Sequence, residues 1–152
     1  VNEDTLFAIE ISCCANKVSF VNEILCHTIE RAGSTSRASY ERLCKHMVIA
    51  LDKVKEYMVD KGLFEEFEAL YKARYLKSIL YNLLQMAQRL PYKEYRRIWG
   101  WNMEHSQYKE YNRKAIRAFL PLKHRLMLVV VTFPLLCFVA VRLANQFSLR
   151  MH

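Results

Sequence analysis

Carboxylates, thiols, imidazoles and aromatic rings are the groups in this chain able to do chemistry, and their spacing decides how much each carries. Glu3 and Asp4 stand side by side ahead of an apolar run, Thr5-Leu6-Phe7-Ala8-Ile9. Taken alone, such a pair suits any helix start, because the helix dipole favours carboxylates there. Cys13, Cys14, Cys26, Cys44 and Cys137 form no C-x-x-C pair and no zinc-type spacing with histidine. They read as reduced, buried thiols of a cytosolic protein. His27, His46, His105, His124 and His152 are scattered, so no metal site is expected from them. A denser group lies further on. Tyr92, Tyr95, Trp99, Trp101, Tyr108 and Tyr111 are interleaved with Lys93, Arg96, Arg97, Lys109, Arg113 and Lys114. Such mixtures gather at membrane interfaces, and they also stack sugars or nucleobases.

The elements that must position these groups follow from periodicity. Leu6, Phe7, Ile9, Ile11 and Cys14 predict a helix over residues 4–15, with Asp4 at its start. Residues 17–29 read as strand, short turn and strand, on the β-branched and apolar character of Val18, Phe20 and Val21, then Ile24 and Cys26. Two such strands need a larger sheet to join. Gly33-Ser34-Thr35-Ser36 is a polar loop, and Ser36 or Ser39 suits the cap of the next helix. Leu43, Met47, Ala50, Leu51, Val54 and Met58 predict a helix from Tyr40 to Lys61, with Gly62 as its left-handed stop. A second long helix follows through Leu84. Pro91 opens a short third helix that Gly100 interrupts, and residues 104–120 form a basic, tyrosine-bearing fourth.

Charge is unevenly placed. Residues 1–88 carry 11 basic and 12 acidic side chains, whereas residues 89–152 carry 12 basic and 3 acidic. A basic segment beside an apolar run points to anionic lipid; the alternative is a solvated basic face. From Leu126 to Val141 no charge occurs, with Arg125 and Arg142 as bounds. At 1.5 Å per residue that run reaches about 24 Å, short of the roughly 30 Å hydrocarbon core, and Pro134 kinks it. A helix in the interface plane is the preferred placement. A span in which Arg142 snorkels, or a helix packed in a core, are the alternatives.

The order of motifs over residues 2–85 resembles bacterial family 2 glycosyltransferases that build surface glycans. Its carriers are Asn2-Glu3-Asp4 with the following helix, then Ala15-Asn16-Lys17-Val18-Ser19-Phe20-Val21-Asn22-Glu23-Ile24-Leu25. Arg31, Gly33 and Ser34-Thr35-Ser36 follow, and later Ala50-Leu51-Asp52 and Gly62-Leu63-Phe64-Glu65-Glu66-Phe67. Where the family carries tyrosines before the arginine, this chain has Cys26 and Ile29. The family's first half, with its nucleotide site and Asp-x-Asp metal motif, has no counterpart, and no Asp-x-Asp occurs here.

The resemblance implies a mainly α chain: a C-terminal remnant of a GT-A α/β domain (a helix plus two short strands) at residues 1–38, and a helical extension over 39–120. Residues 121–152 form a membrane-associating helix. It implies an inverting transfer from a nucleotide sugar to a surface-glycan or lipid-linked acceptor, at the inner face of the plasma membrane. Asp4 would be the general base and Glu3 its orienting neighbour. Arg31, Ser34 and Ser36 would meet the diphosphate; the alternative for this loop is a surface turn with a helix cap. Magnesium or manganese would be the cofactor, with its main ligands outside this chain, and the chain alone would be inactive. The partners expected are an anionic membrane surface and no nucleic acid. The rival reading is a non-enzymatic helical membrane-surface or interaction protein.

Overall fold

The structure, a computed structural model, describes residues 3–15, 17, 19 and 40–150. Among them every regular element is an α-helix. The chain divides into two compact units, Val1–Tyr57 and Met58–His152.

In the first unit, α1 (Glu3–Cys14) begins at the acidic pair. Helix α2 (Tyr40–Asp60) occupies the span that periodicity predicts, and it continues a few residues into the second unit. Its Cys44, Val48, Leu51 and Val54 recur at helical spacing and are buried. The Cys14 thiol and the Tyr57 hydroxyl lie 3.6 Å apart.

The expected pair of strands over residues 17–29 is corrected. Lys17 and Ser19, described positions in the first strand, belong to no regular element, and the rest of that span lies outside the described residues. The fold class is all-α among the described residues, not a helix plus two strands on an α/β remnant. Val18, Phe20 and Val21 carry a local preference, but a strand is held by its neighbours. Among the described residues no segment is a strand, so none offers a sheet for a hairpin to join.

The second unit opens at the end of α2. Gly62 has φ 68°, in the left-handed region that costs a side chain energy. The Gly62 N–H donates to the Val59 carbonyl and the Leu63 N–H to the Met58 carbonyl, the pair of bonds that defines a Schellman stop. Helix α3 (Phe64–Arg89) then forms the spine, burying Tyr75, Leu76, Ile79, Leu80, Leu83 and Met86 completely. Five helices lie against it: α4 (Tyr92–His105), α5 (Tyr108–Tyr111), α6 (Lys114–Arg117), α7 (Leu122–Val131) and α8 (Pro134–Arg150).

Three local expectations shift. Pro91 stands just outside α4 with φ −59° and ψ 150°, as an extended residue that feeds the helix. Gly100 does not interrupt α4, which runs on to His105; one glycine weakens a helix by about 1 kcal/mol without breaking it. The helix expected over 104–120 is instead two single turns, α5 and α6. Ser106 closes α4 in an extended conformation, and Arg113 separates the turns the same way. Pro134 does more than kink the apolar run. It lacks the N–H that a helix interior needs, so α7 stops and α8 begins at the proline.

Distant side chains close the helix ends that these breaks leave open. The Arg142 guanidinium donates to the Ala87 carbonyl at 3.0 Å and the Leu90 carbonyl at 2.8 Å, capping the end of α3. Arg125 donates to the Leu120 and Ala118 carbonyls, both at 2.7 Å. At the end of α7, the Trp99 indole N–H donates to the Val131 carbonyl at 2.8 Å and the Tyr108 hydroxyl to the Leu128 carbonyl at 3.0 Å. Arg142, Trp99 and Tyr108 supply donors to carbonyls that the ends of α3 and α7 leave without an intrahelical partner, whereas Arg125 holds the connection between α6 and α7.

Candidate functional site

Helix α4 carries one candidate surface. Positions 93, 96, 97, 100, 101 and 104 recur at helical spacing and so share one face. Lys93, Arg96, Arg97, Gly100, Trp101 and Glu104 line an open hollow of about 540 Å³ there. On the neighbouring side, Trp99, Gly100, Met103, Tyr108 and Thr132 contribute to a second, more enclosed hollow of about 560 Å³. The Trp101 ring lies parallel to the His105 imidazole, with centroids 4.8 Å apart and an interplanar angle of 6°. Three cations against one carboxylate give the first hollow a positive field, and the rings give both hollows apolar walls.

Helices α7 and α8 carry the other candidate. One side of each is buried: His124, Leu128 and Val131 on α7, Cys137 on α8. The opposite side is exposed and apolar. Leu122, Leu126, Val129 and Phe133 form a stripe at helical spacing, 49–68% exposed, and Leu136, Val139 and Leu143 form another on α8 at 44–53%. Scattered exposed apolar residues are ordinary; stripes on two consecutive helices, with no charge from 126 to 141, are not. No helix among the described residues is long and apolar enough to cross a membrane.

The buried side of this pair holds polar groups in fixed states. The Tyr81 hydroxyl and His124 Nε2 are 2.8 Å apart. Burial holds the His124 pKa below the usual imidazole value, and the charges of Lys77 and Lys123 add to this. The Cys137 thiol is completely buried beside the Tyr95 hydroxyl; burial raises the pKa of both groups. A thiol is a weak hydrogen-bonding partner, and Tyr95 has no stronger one. Neither group is arranged as a nucleophile, because a nucleophilic cysteine needs a lowered pKa and access.

The sequence-predicted site fares differently. Glu3 and Asp4 lie in the first turn of α1, and nothing is described of their side chains. Arg31, Ser34 and Ser36 lie outside the described residues, so no described geometry joins the proposed base to the proposed phosphate contacts. Among the described residues no group of three or more His, Cys, Asp or Glu stands together as a metal site. The aromatic–basic region splits in two. Tyr95, Tyr108 and Tyr111 are core residues, whereas Trp99 and Trp101 reach the surface. Tyr111 meets Tyr75 edge to face with centroids 5.2 Å apart, inside the spine's packing. The arginines that bound the apolar run donate to backbone carbonyls, Arg142 at the end of α3 and Arg125 in the connection before α7. Sequence reasoning missed the hollow centred on Gly100, because it ended the helix there; carrying the helical spacing past the glycine would have shown the shared face.

No protein-family model, no curated protein and no solved structure matches this chain.

Proposed function

We propose that residues 58–152 form a helical membrane-surface module that lays the exposed sides of α7 and α8 into the interface of an anionic bilayer. One observation carries this reading: α7 and α8 bury one side against their own unit and leave apolar stripes exposed on the other. A water-exposed stripe is costly, because each large apolar side chain gains about 1.5–3 kcal/mol on burial. Charge supports an anionic membrane as the occupant: residues 89–152 carry 12 basic and 3 acidic side chains, and such segments are drawn to anionic leaflets. Two short helices meeting at Pro134 suit a shallow placement in the interface plane.

The test is vesicle flotation of the full chain. Binding is expected to vesicles carrying phosphatidylglycerol and to weaken with salt. Replacing Leu126, Phe133 and Leu136 with serine is expected to reduce it at least tenfold while the helical signal in circular dichroism is kept. Unchanged flotation of that variant would refute the proposal.

A second reading is favoured by the motif order over residues 2–85, a span that takes in α2 and most of α3. On it, the module serves an enzyme that transfers a sugar from a nucleotide sugar to a lipid-linked acceptor, and the membrane surface is where that acceptor lies. Its test is Asp4→Asn in a longer polypeptide carrying a nucleotide-binding half. Loss of transfer with intact folding supports it; unchanged transfer refutes it.

A further inference from the structure

The middle of α4 holds a glycine for which the protein's own packing gives no reason. A Cβ built at Gly100 meets no atom within 4 Å, so nothing excludes a side chain. The backbone there lies within a continuous helix, where glycine is less favourable than alanine by about 1 kcal/mol. What the missing side chain achieves is on the surface. Gly100 and Glu104 line both the basic hollow and the more apolar one, and Lys109 adds a further cation to the latter; the bare backbone of Gly100 is the part of that shared lining with no side chain. A glycine that leaves a backbone open to close approach is a recurrent feature of ligand sites.

We propose that this trough across α4 binds a phosphate group. Lys93, Arg96 and Arg97 fall within about one helical turn and all are exposed. Guanidinium forks engage phosphate oxygens in pairs, and the lysine adds a compact charge. Glu104 is the one carboxylate in the lining of that hollow, so the balance favours an anion. Trp99 and Trp101 stand on either side of the glycine in sequence and take the remainder of the ligand by stacking or apolar contact. A membrane lipid headgroup and a soluble phosphate compound share this chemistry. The inference concerns α4, not the α7–α8 stripes, and shares with the membrane reading only the basic side chains of α4.

The chain has two tryptophans, Trp99 and Trp101, and both line the trough. Intrinsic fluorescence of the full chain therefore reads the site without a label. One arm titrates inorganic pyrophosphate. The other titrates phosphatidylcholine vesicles carrying phosphatidic acid, against vesicles carrying the phosphate-free anion cholesteryl hemisuccinate. A saturable change with pyrophosphate supports the proposal and marks soluble phosphate as sufficient. A change with phosphatidic acid well above that with hemisuccinate supports it and marks the headgroup as the source. In either case, combined Lys93→Gln and Arg96→Gln is expected to weaken the response at least tenfold, and Gly100→Leu, which puts a side chain into the shared lining, to do the same with helical content kept. The serine variant of α7 and α8 is expected to leave the pyrophosphate response unchanged. No saturable change in either arm overturns the proposal. So does an equal response to the two anionic vesicles without a pyrophosphate response, or equal affinities in the wild-type chain and the Lys93/Arg96 variant. A stronger response to single-stranded RNA than to any phosphate probe overturns it in favour of nucleic-acid binding.

Discussion

Helix α3 and the α7–α8 pair invert the usual relation between apolar content and burial. The pair is the more apolar in sequence, with no charge between 126 and 141. Yet α3, which carries charges along its length, buries Tyr75, Leu76, Ile79, Leu80, Leu83 and Met86 completely, while the pair leaves Leu122, Leu126, Phe133 and Leu136 more than half exposed. The difference is in the neighbours. Five helices lie against α3, so its apolar face is covered by its own unit. Helices α7 and α8 sit at the outside of that packing, and each has one covered side. Hydrophobicity sets how strongly a face favours cover; the partners present decide whether it has any.

The comparison breaks most visibly at matched leucines. Leu80→Ala on α3 removes a side chain with no exposure, and is expected to cost about 2–5 kcal/mol in chemical denaturation. Leu126→Ala on α7 removes one that is 61% exposed, and is expected to change stability by less than about 0.5 kcal/mol. Similar costs at the two sites would mean that the α7 stripe is covered within the protein. An intermediate effect is expected where the two regions are tied together. Arg142→Leu leaves the Ala87 and Leu90 carbonyls without their donor, at an expected cost of about 1–3 kcal/mol. Arg142→Lys should recover part of it, since a lysine can reach one carbonyl but lacks the fork.

The smallest effect sharpens the comparison through pH. His124 on α7 meets Tyr81 on α3, and burial holds its pKa below the ordinary imidazole value of about 6.5. The unfolded chain therefore takes up a proton near pH 6.5 that the folded chain still resists. Stability from this group is fully present above that pH and falls as the solution is acidified through it. The melting temperature should drop between pH 7 and pH 5.5, and drop less in His124→Gln. Equal slopes would show that other groups carry the acid sensitivity.

Much of this fold was legible where the signal is local. Helix α2 and its stop at Gly62 follow from apolar spacing and one glycine, and both depend on residues adjacent in the chain. The strands expected over 17–29 rest on a local preference too, and its described positions, Lys17 and Ser19, lie in no regular element; a strand needs a sheet, which no short window contains. The Arg142 cap was illegible for the opposite reason. Arg142 reaches carbonyls more than fifty residues earlier, and nothing near it in sequence says so. Pro134 predicts a kink from its own chemistry, but the donors that meet the freed carbonyls of α7, Trp99 and Tyr108, lie 20 or more residues away in the chain. The candidate α4 site was half legible: its cations and rings were noted, but the wrong helix end at Gly100 hid their common face. The carboxylates Glu3 and Asp4 were placed correctly at a helix start, which physics favours whatever their use.

The central claim is that the outward side of α7 and α8 enters lipid whereas α3 stays with the protein. Infrared spectroscopy of 4-cyanophenylalanine, placed at Phe133 and separately at Phe67 on α3, reads this directly, since the nitrile band moves to lower frequency on leaving water. Both phenylalanines are exposed, at 57% and 38%. On adding phosphatidylglycerol vesicles, the band at 133 should shift down and the band at 67 should stay. An unmoved band at 133, or equal shifts at both positions, would contradict the account.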